Sequence, residues 1–240
     1  MRREANGLIR SKIFLLVIII CLSAACATTD RTNKAEAYHK LGILYLNENK
    51  VQQAFVEFHK AYEFDPHNKE ILFAIGTVYL LHLDETDKAI SYFEKAVKED
   101  PLYSEAFNSL GYSYEKLGNF EKAISFYGKA LSNPLYPTAE MAYINMGNSY
   151  YRLGNFGAAL QSYKEAIKRA QGLSLAYWRL ALCLNAMGRY GDASTAVSEA
   201  VKLEYGGDRE KAIEDLSLRK LKAKGREERD IQDYIEILKY

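Results

Sequence analysis

Four histidines, three cysteines and 31 carboxylates are the groups in this 240-residue sequence with chemistry to offer. Nucleophilic catalysis needs a nucleophile beside a base, and metal binding needs several ligands at close spacing. His39, His59, His67 and His82 are scattered, and none stands beside an acid at triad or ligand spacing. A solvated surface is the expected place for all four. The glycines do not form a phosphate-binding loop. Cys183 lies in an apolar run and reads as a small buried apolar residue. The remaining cysteines suit neither a disulfide framework nor a metal site. No catalytic residue, cofactor, metal or small-molecule substrate is expected, and the chain does not read as an enzyme.

The glycines instead mark a period. Gly42 and Tyr45, Gly76 and Tyr79, Gly111 and Tyr114, and Gly147 and Tyr150 are four copies of one spacing, and Ala181 and Leu184 make a weaker fifth. With the glycine at position 8, position 20 is Ala54, Ala89 (one late), Ala123, Ala159 and Ala193. Position 24 is Phe58, Phe93 (one late), Tyr127, Tyr163 and Val197, and position 27 is Ala61, Ala96 (one late), Ala130, Ala166 and Ala200. Small residues at 8, 20 and 27 let two antiparallel helices approach closely, and aromatics at 11 and 24 fill the space around them. Gly118, Gly154 and Gly188 fall where the first helix of a unit ends, a place that suits a left-handed residue. Pro66, Pro101 and Pro134 stop second helices.

This pattern resembles the tetratricopeptide repeat (TPR), a helix–turn–helix unit of about 34 residues. The resemblance implies an all-α right-handed superhelix of five repeats over 35–68, 69–103, 104–139, 140–173 and 174–207. Residues 208–240 read as two further helices, Asp208–Ala223 with Ala212, Leu216 and Leu221 on one stripe, and Glu227–Lys239 with Ile231, Tyr234, Ile235 and Leu238. They form either a cap on repeat five or a degenerate sixth repeat.

The N-terminus carries Arg2, Arg3, Arg10 and Lys12 ahead of an uncharged, mostly apolar stretch, Ile13–Ala25. That is the layout of a secretory signal over 1–25, and the apolar part is short for a membrane span. Leu22-Ser23-Ala24-Ala25-Cys26 resembles a bacterial lipobox, in which the cysteine becomes the acylated first residue. The resemblance implies a membrane-anchored lipoprotein, and Ala27 after the cysteine resembles lipoproteins of the outer membrane. An ordinary cleaved signal with an incidental Cys26 and a retained anchor are the alternatives. Residues 26–34 comprise the lipidated N-terminus and a polar linker, Ala27–Lys34, at most about 28 Å long when extended. Removing residues 1–25 takes away four basic residues and one acidic residue, shifting the net charge from +1 to −2. No basic stripe calls for nucleic acid.

In TPR arrays the first helices line a concave groove, and positions 2, 5, 9, 12 and 13 point into it. Here that places Phe73, Leu80, Leu81, Tyr112, Ile144, Tyr151 and Trp178 in an apolar stripe, rimmed by Glu115, Asn148 and Arg152. Such a patch suits a protein partner, docked as an amphipathic helix or an extended segment. Trp178 is the expected anchor. The basic clamp of some chaperone-binding TPRs is not matched, since His39 and Ile43 stand where Lys and Asn are expected.

The lipobox, the five or so repeats and the segment Leu131-Ser132-Asn133-Pro134-Leu135-Tyr136-Pro137, followed by Met141–Gly147, resemble the PilF/PilW lipoproteins of type IV pilus biogenesis. That resemblance implies a pilotin, an outer-membrane lipoprotein that helps secretin subunits assemble, with a secretin segment as the partner. An adaptor for cell-wall hydrolases and a component of an outer-membrane protein insertion complex are the alternative readings.

Overall fold

The computed structural model describes residues 29–239, so the 1–25 signal and Cys26 lie outside the described residues. Every regular element among the described residues is a helix. Helix α1 runs through residues 29–47, followed by α2 (Val51–Phe64), α3 (Lys69–Leu81) and α4 (Thr86–Glu99). Then come α5 (Ser104–Lys116), α6 (Phe120–Leu131), α7 (Ala139–Arg152), α8 (Phe156–Arg169), α9 (Ser174–Ala186) and α10 (Tyr190–Tyr205). The chain ends in α11 (Arg209–Lys220) and α12 (Arg226–Ile237). Contacts divide the described residues into two compact units, one up to Asp100 and one from Pro101. No described helix is long and apolar enough to cross a membrane.

Each of the first four helical pairs is locked by the same contact. A methyl carbon added to Gly42 would lie 2.5 Å from the Phe58 ring, and one on Gly76 would lie 2.7 Å from Phe93. In the second unit the same contact sets Gly111 against Tyr127 (2.5 Å) and Gly147 against Tyr163 (2.6 Å). Such approaches exclude a Cβ, so the position-8 glycines are required by packing and not by backbone conformation. In the fifth pair Ala181 and Val197 are both fully buried, a larger first-helix residue matched by a smaller second-helix one. The position-20 and position-27 alanines have no accessible surface, which brings the helix axes together.

The turns inside the pairs also repeat. Gly118, Gly154 and Gly188 adopt φ of 78°, 74° and 74°. Asn49 (58°) and Asp84 (57°) fill the same turn in the first two pairs, using the residue types that tolerate left-handed backbone. Sequence reading keyed on glycine missed these two. Asn119 and Asn155 then start the next helices, accepting the backbone N–H of Lys122 (3.1 Å) and of Ala158 (3.2 Å).

In the second unit, α5 to α10 pack in sequence order, but α12 departs from that order and packs on α9 as well as α10 and α11. It buries Ile231, Tyr234, Ile235 and Ile237. Leu221 does not join the expected stripe: α11 ends at Lys220, and Leu221 is 82% exposed. Tyr136, in the connection before α7, is buried against Ala130, Ala139 and Ala142, whereas Leu135 is 83% exposed.

The glycine contact yields a stability prediction. Gly76→Ala destabilises the chain by about 1–3 kcal/mol through overpacking. Adding Phe93→Val makes room, so the double variant loses less than the two single losses added together. Urea unfolding of the four proteins gives the coupling, and simple additivity would refute the interlock.

Candidate functional site

The surface expected to hold a partner is built from the first helices of the pairs, and its side chains divide sharply by burial. In the first unit, Leu81 is 60% exposed, Phe73 is half-buried against the Phe93 ring (5.6 Å), and Leu80 is buried. In the second unit Tyr112 is 43% exposed, Arg152 is exposed, and Asn148 and Tyr151 are half-buried. Ile144 and Trp178 are not on offer. Ile144 packs with Ala166 and Ala176 in a core between pairs. Trp178 is 6% exposed because α12 lies on it: the Tyr234 ring meets the indole edge-on at 4.9 Å. Its Nε1 donates to Glu204 Oε2 at 2.7 Å. The expectation that Leu80, Ile144 and Trp178 line an open groove is therefore corrected. Helical position gives the direction of a side chain but not what covers it.

Two of the four histidines also depart from expectation. His39 and His59 are half-buried beside aromatic rings, 5.7 Å from Phe58 and 4.5 Å from Phe55. Burial lowers the pKa of both. His67 Nδ1 lies 2.8 Å from Glu99 Oε1 on the surface. His82 is exposed. Burial pushes the Cys183 thiol up to about 11 and its Sγ donates to the Phe156 carbonyl, so it is an inert core residue. No cluster of metal-ligating side chains occurs among the described residues.

A polar cavity of about 110 Å³ opens within the second unit. Glu115, Asn148, Tyr151, Arg152, Tyr163, Arg179, Arg226 and Asp230 take part in its wall. Two of the wall residues, Glu115 and Asn148, are held by the tyrosines at position 24, which stand where the first unit has Phe58 and Phe93. The Tyr127 hydroxyl passes the glycine contact and donates to Glu115 Oε2 (2.9 Å), and the Tyr163 hydroxyl reaches Asn148 Oδ1 (3.0 Å). Ser149 Oγ donates to the same Glu115 oxygen at 3.2 Å, tying α7 to α5. Burial raises the Glu115 carboxyl above its ordinary range, against the lowering effect of these hydroxyls and of Arg152 and Arg179. Helix α12 supplies the opposite wall. Asp230 accepts from Arg179 Nη1 at 3.2 Å and lies 3.6 Å from Arg226 Nε. The Arg226 guanidinium sits 5.0 Å from the Tyr151 ring centroid, and that of Arg152 sits 4.9 Å from Phe120.

Sequence reading found Glu115, Asn148, Tyr151 and Arg152 but missed Tyr163, Arg179, Arg226 and Asp230. The change from Phe to Tyr at position 24 was the available signal for Tyr163. Nothing local marked Arg226 or Asp230, because their role depends on where α12 docks.

The burial of Trp178 changes what its substitution does. Trp178→Ala costs about 3–5 kcal/mol of stability by leaving a cavity between α9 and α12. Trp178 is also the single tryptophan of the chain, so its emission reports the α9–α12 contact. Tyr234→Ala shifts that emission to the red without denaturant, and an unchanged spectrum would refute the contact.

The comparisons fit this architecture. Tetratricopeptide-repeat family models match residues 35–68, 69–101, 105–172 and 144–215. The chain is 32% identical over 97 residues to BBSome complex member BBS4 of Bos taurus, covering 40% of this chain and 18% of that protein. It is 26% identical over 132 residues to the type IV pilus assembly protein PilF of Pseudomonas aeruginosa, covering 52% of each. The chain thus spans less than two thirds of either relative's length. The crystal structure of PilW, a type IV pilus biogenesis factor, matches with a TM-score of 0.69 at 22% identity, over 85% of this chain and 90% of that one. Repeats matched along most of the chain, the first four closed by the same glycine-on-aromatic contact, make this protein a member of the tetratricopeptide-repeat family.

Proposed function

We propose that this protein is a membrane-tethered scaffold that holds a segment of a protein partner on its first-helix faces and assists secretin assembly in type IV pilus biogenesis. The observation that carries the reading is the similarity to PilF, which extends over half of each chain. Type IV pilus factors are also among the proteins sharing this fold. The tether is the N-terminus: Cys26 is the acylated residue, and the lipid holds the repeats at the periplasmic face of the outer membrane. More than one acyl chain makes such anchoring stable. The partner lies against the side chains that stay accessible: Phe73 and Leu81 in the first unit, and Tyr112, Asn148, Tyr151 and Arg152 in the second.

Affinity capture with the lipidated chain from detergent-solubilised envelopes, with bound proteins identified by mass, tests the pathway. A secretin among the captured chains is expected. Peptidoglycan hydrolases or barrel-assembly proteins in its place would keep the scaffold and overturn the pilus assignment. Cys26→Ser separates the tether from the scaffold. The variant leaves the membrane fraction yet still captures the secretin after solubilisation, and retention in the membrane would refute acylation at Cys26.

A further inference from the structure

The polar cavity of the second unit carries an imbalance of charge. Three guanidiniums reach it from three helices: Arg152 from α7, Arg179 from α9 and Arg226 from α12. Two carboxylates face them. Asp230 serves both Arg179 and Arg226, while Glu115 is engaged by two hydroxyls. Arg152 forms no ion pair among the described residues, and the buried Nε of Arg179 has no acceptor. Within the wall the excess is one positive charge with Glu115 ionised and two with it protonated, and Asp233, just outside the wall on α12, offsets part of the charge of Arg226 while leaving Arg152 unbalanced.

These cations are also oriented. A guanidinium held over an aromatic face keeps its N–H edge in a fixed plane, and that edge matches a carboxylate in two parallel hydrogen bonds. Arg152 and Arg226 are both held in this way, over Phe120 and Tyr151. A lysine would supply charge without the fork. The cavity of about 110 Å³ is small beside two clefts of about 360 and 330 Å³ that share its arginines, one at Tyr112 and Phe120 and the other at Arg219 and Tyr234. The inner volume suits the end of one side chain or one chain terminus, and the clefts leave room for the segment that carries it.

We infer that this cavity is a carboxylate subsite, in which Arg152 and Arg226 receive an Asp or Glu side chain or a C-terminal carboxylate of an acidic peptide segment. The inference rests on the segment-binding reading above and adds the chemistry of one anchor point. Glu115 acts against the ligand, because its ionised form repels a second carboxylate. Asp230 holds Arg226 and Arg179 in place and limits the excess charge.

Two displayed libraries of random dodecapeptides serve as the probe, one with free C-termini and one with peptides flanked on both sides. Both are panned against the full chain in detergent. Selected peptides are expected to carry Asp or Glu at a fixed position, or to come from the free-end library alone, which tells a side-chain carboxylate from a terminal one. Synthetic copies bind Arg152→Gln and Arg226→Gln at least about tenfold more weakly, with helicity unchanged by circular dichroism. Arg226→Lys falls between, and Glu115→Gln binds more tightly, which loss of structure would not produce. Replacing the peptide's carboxylate by an amide costs the native chain the same factor and costs the arginine variants nothing. Peptides that bind native and arginine-substituted chains equally would overturn the carboxylate subsite and leave segment binding standing. Recovery of no peptide from either library would overturn both.

Discussion

Everything in this protein rests on an aromatic ring pressed against a backbone that has no side chain. In each of the first four pairs, position 8 is glycine and position 24 of the partner helix is Phe or Tyr, so close that a Cβ cannot be added. The contact fixes the separation of the two helices and lets flanking alanines close the rest of the interface. A pair so closed leaves its remaining apolar surface to the neighbouring pair, and repeat stacking follows. In the fifth pair Ala181 and Val197 are buried in their place, a larger first-helix residue accompanied by a smaller second-helix one.

The same contact positions the polar groups. A phenylalanine at position 24 ends inside the interface, whereas a tyrosine carries one oxygen past the glycine to the first-helix face. Tyr127 and Tyr163 thereby anchor Glu115 and Asn148. Helix α12 completes the surroundings from the other side, bringing Arg226 and Asp230 opposite α7 and α9 while covering Trp178. Fold and site are therefore made by two kinds of constraint. One is internal to each repeat, and the other comes from a helix that follows the repeats.

Sequence legibility divides along that line. The helical pairs, their glycines and the left-handed turns at Gly118, Gly154 and Gly188 could be read, because each depends on residues within about 34 positions of one another. The turns at Asn49 and Asp84 escaped notice only because a different residue met the same backbone demand. The site was half legible. Position along the repeat found Glu115, Asn148, Tyr151 and Arg152, yet it also offered Ile144, Leu80 and Trp178, which packing removes from the surface. Arg226 and Asp230 sit in a charged stretch whose composition matches an ordinary solvated helix. Their roles come from the docking of α12, and an amphipathic pattern shows which face docks but not where.

The tyrosine hydroxyls have a consequence for how such arrays diversify. Tyr127 and Tyr163 contribute to the first-helix face from behind, through rings that are themselves fully enclosed. Exchange of Phe for Tyr at an enclosed position alters one oxygen and almost no volume, so the fold tolerates it while the recognition face gains or loses a hydrogen-bond donor. Two arrays with identical surface residues can thus differ in what they bind. Changes of preference between related scaffolds should then be sought among concealed aromatics as well as among the residues that meet the partner.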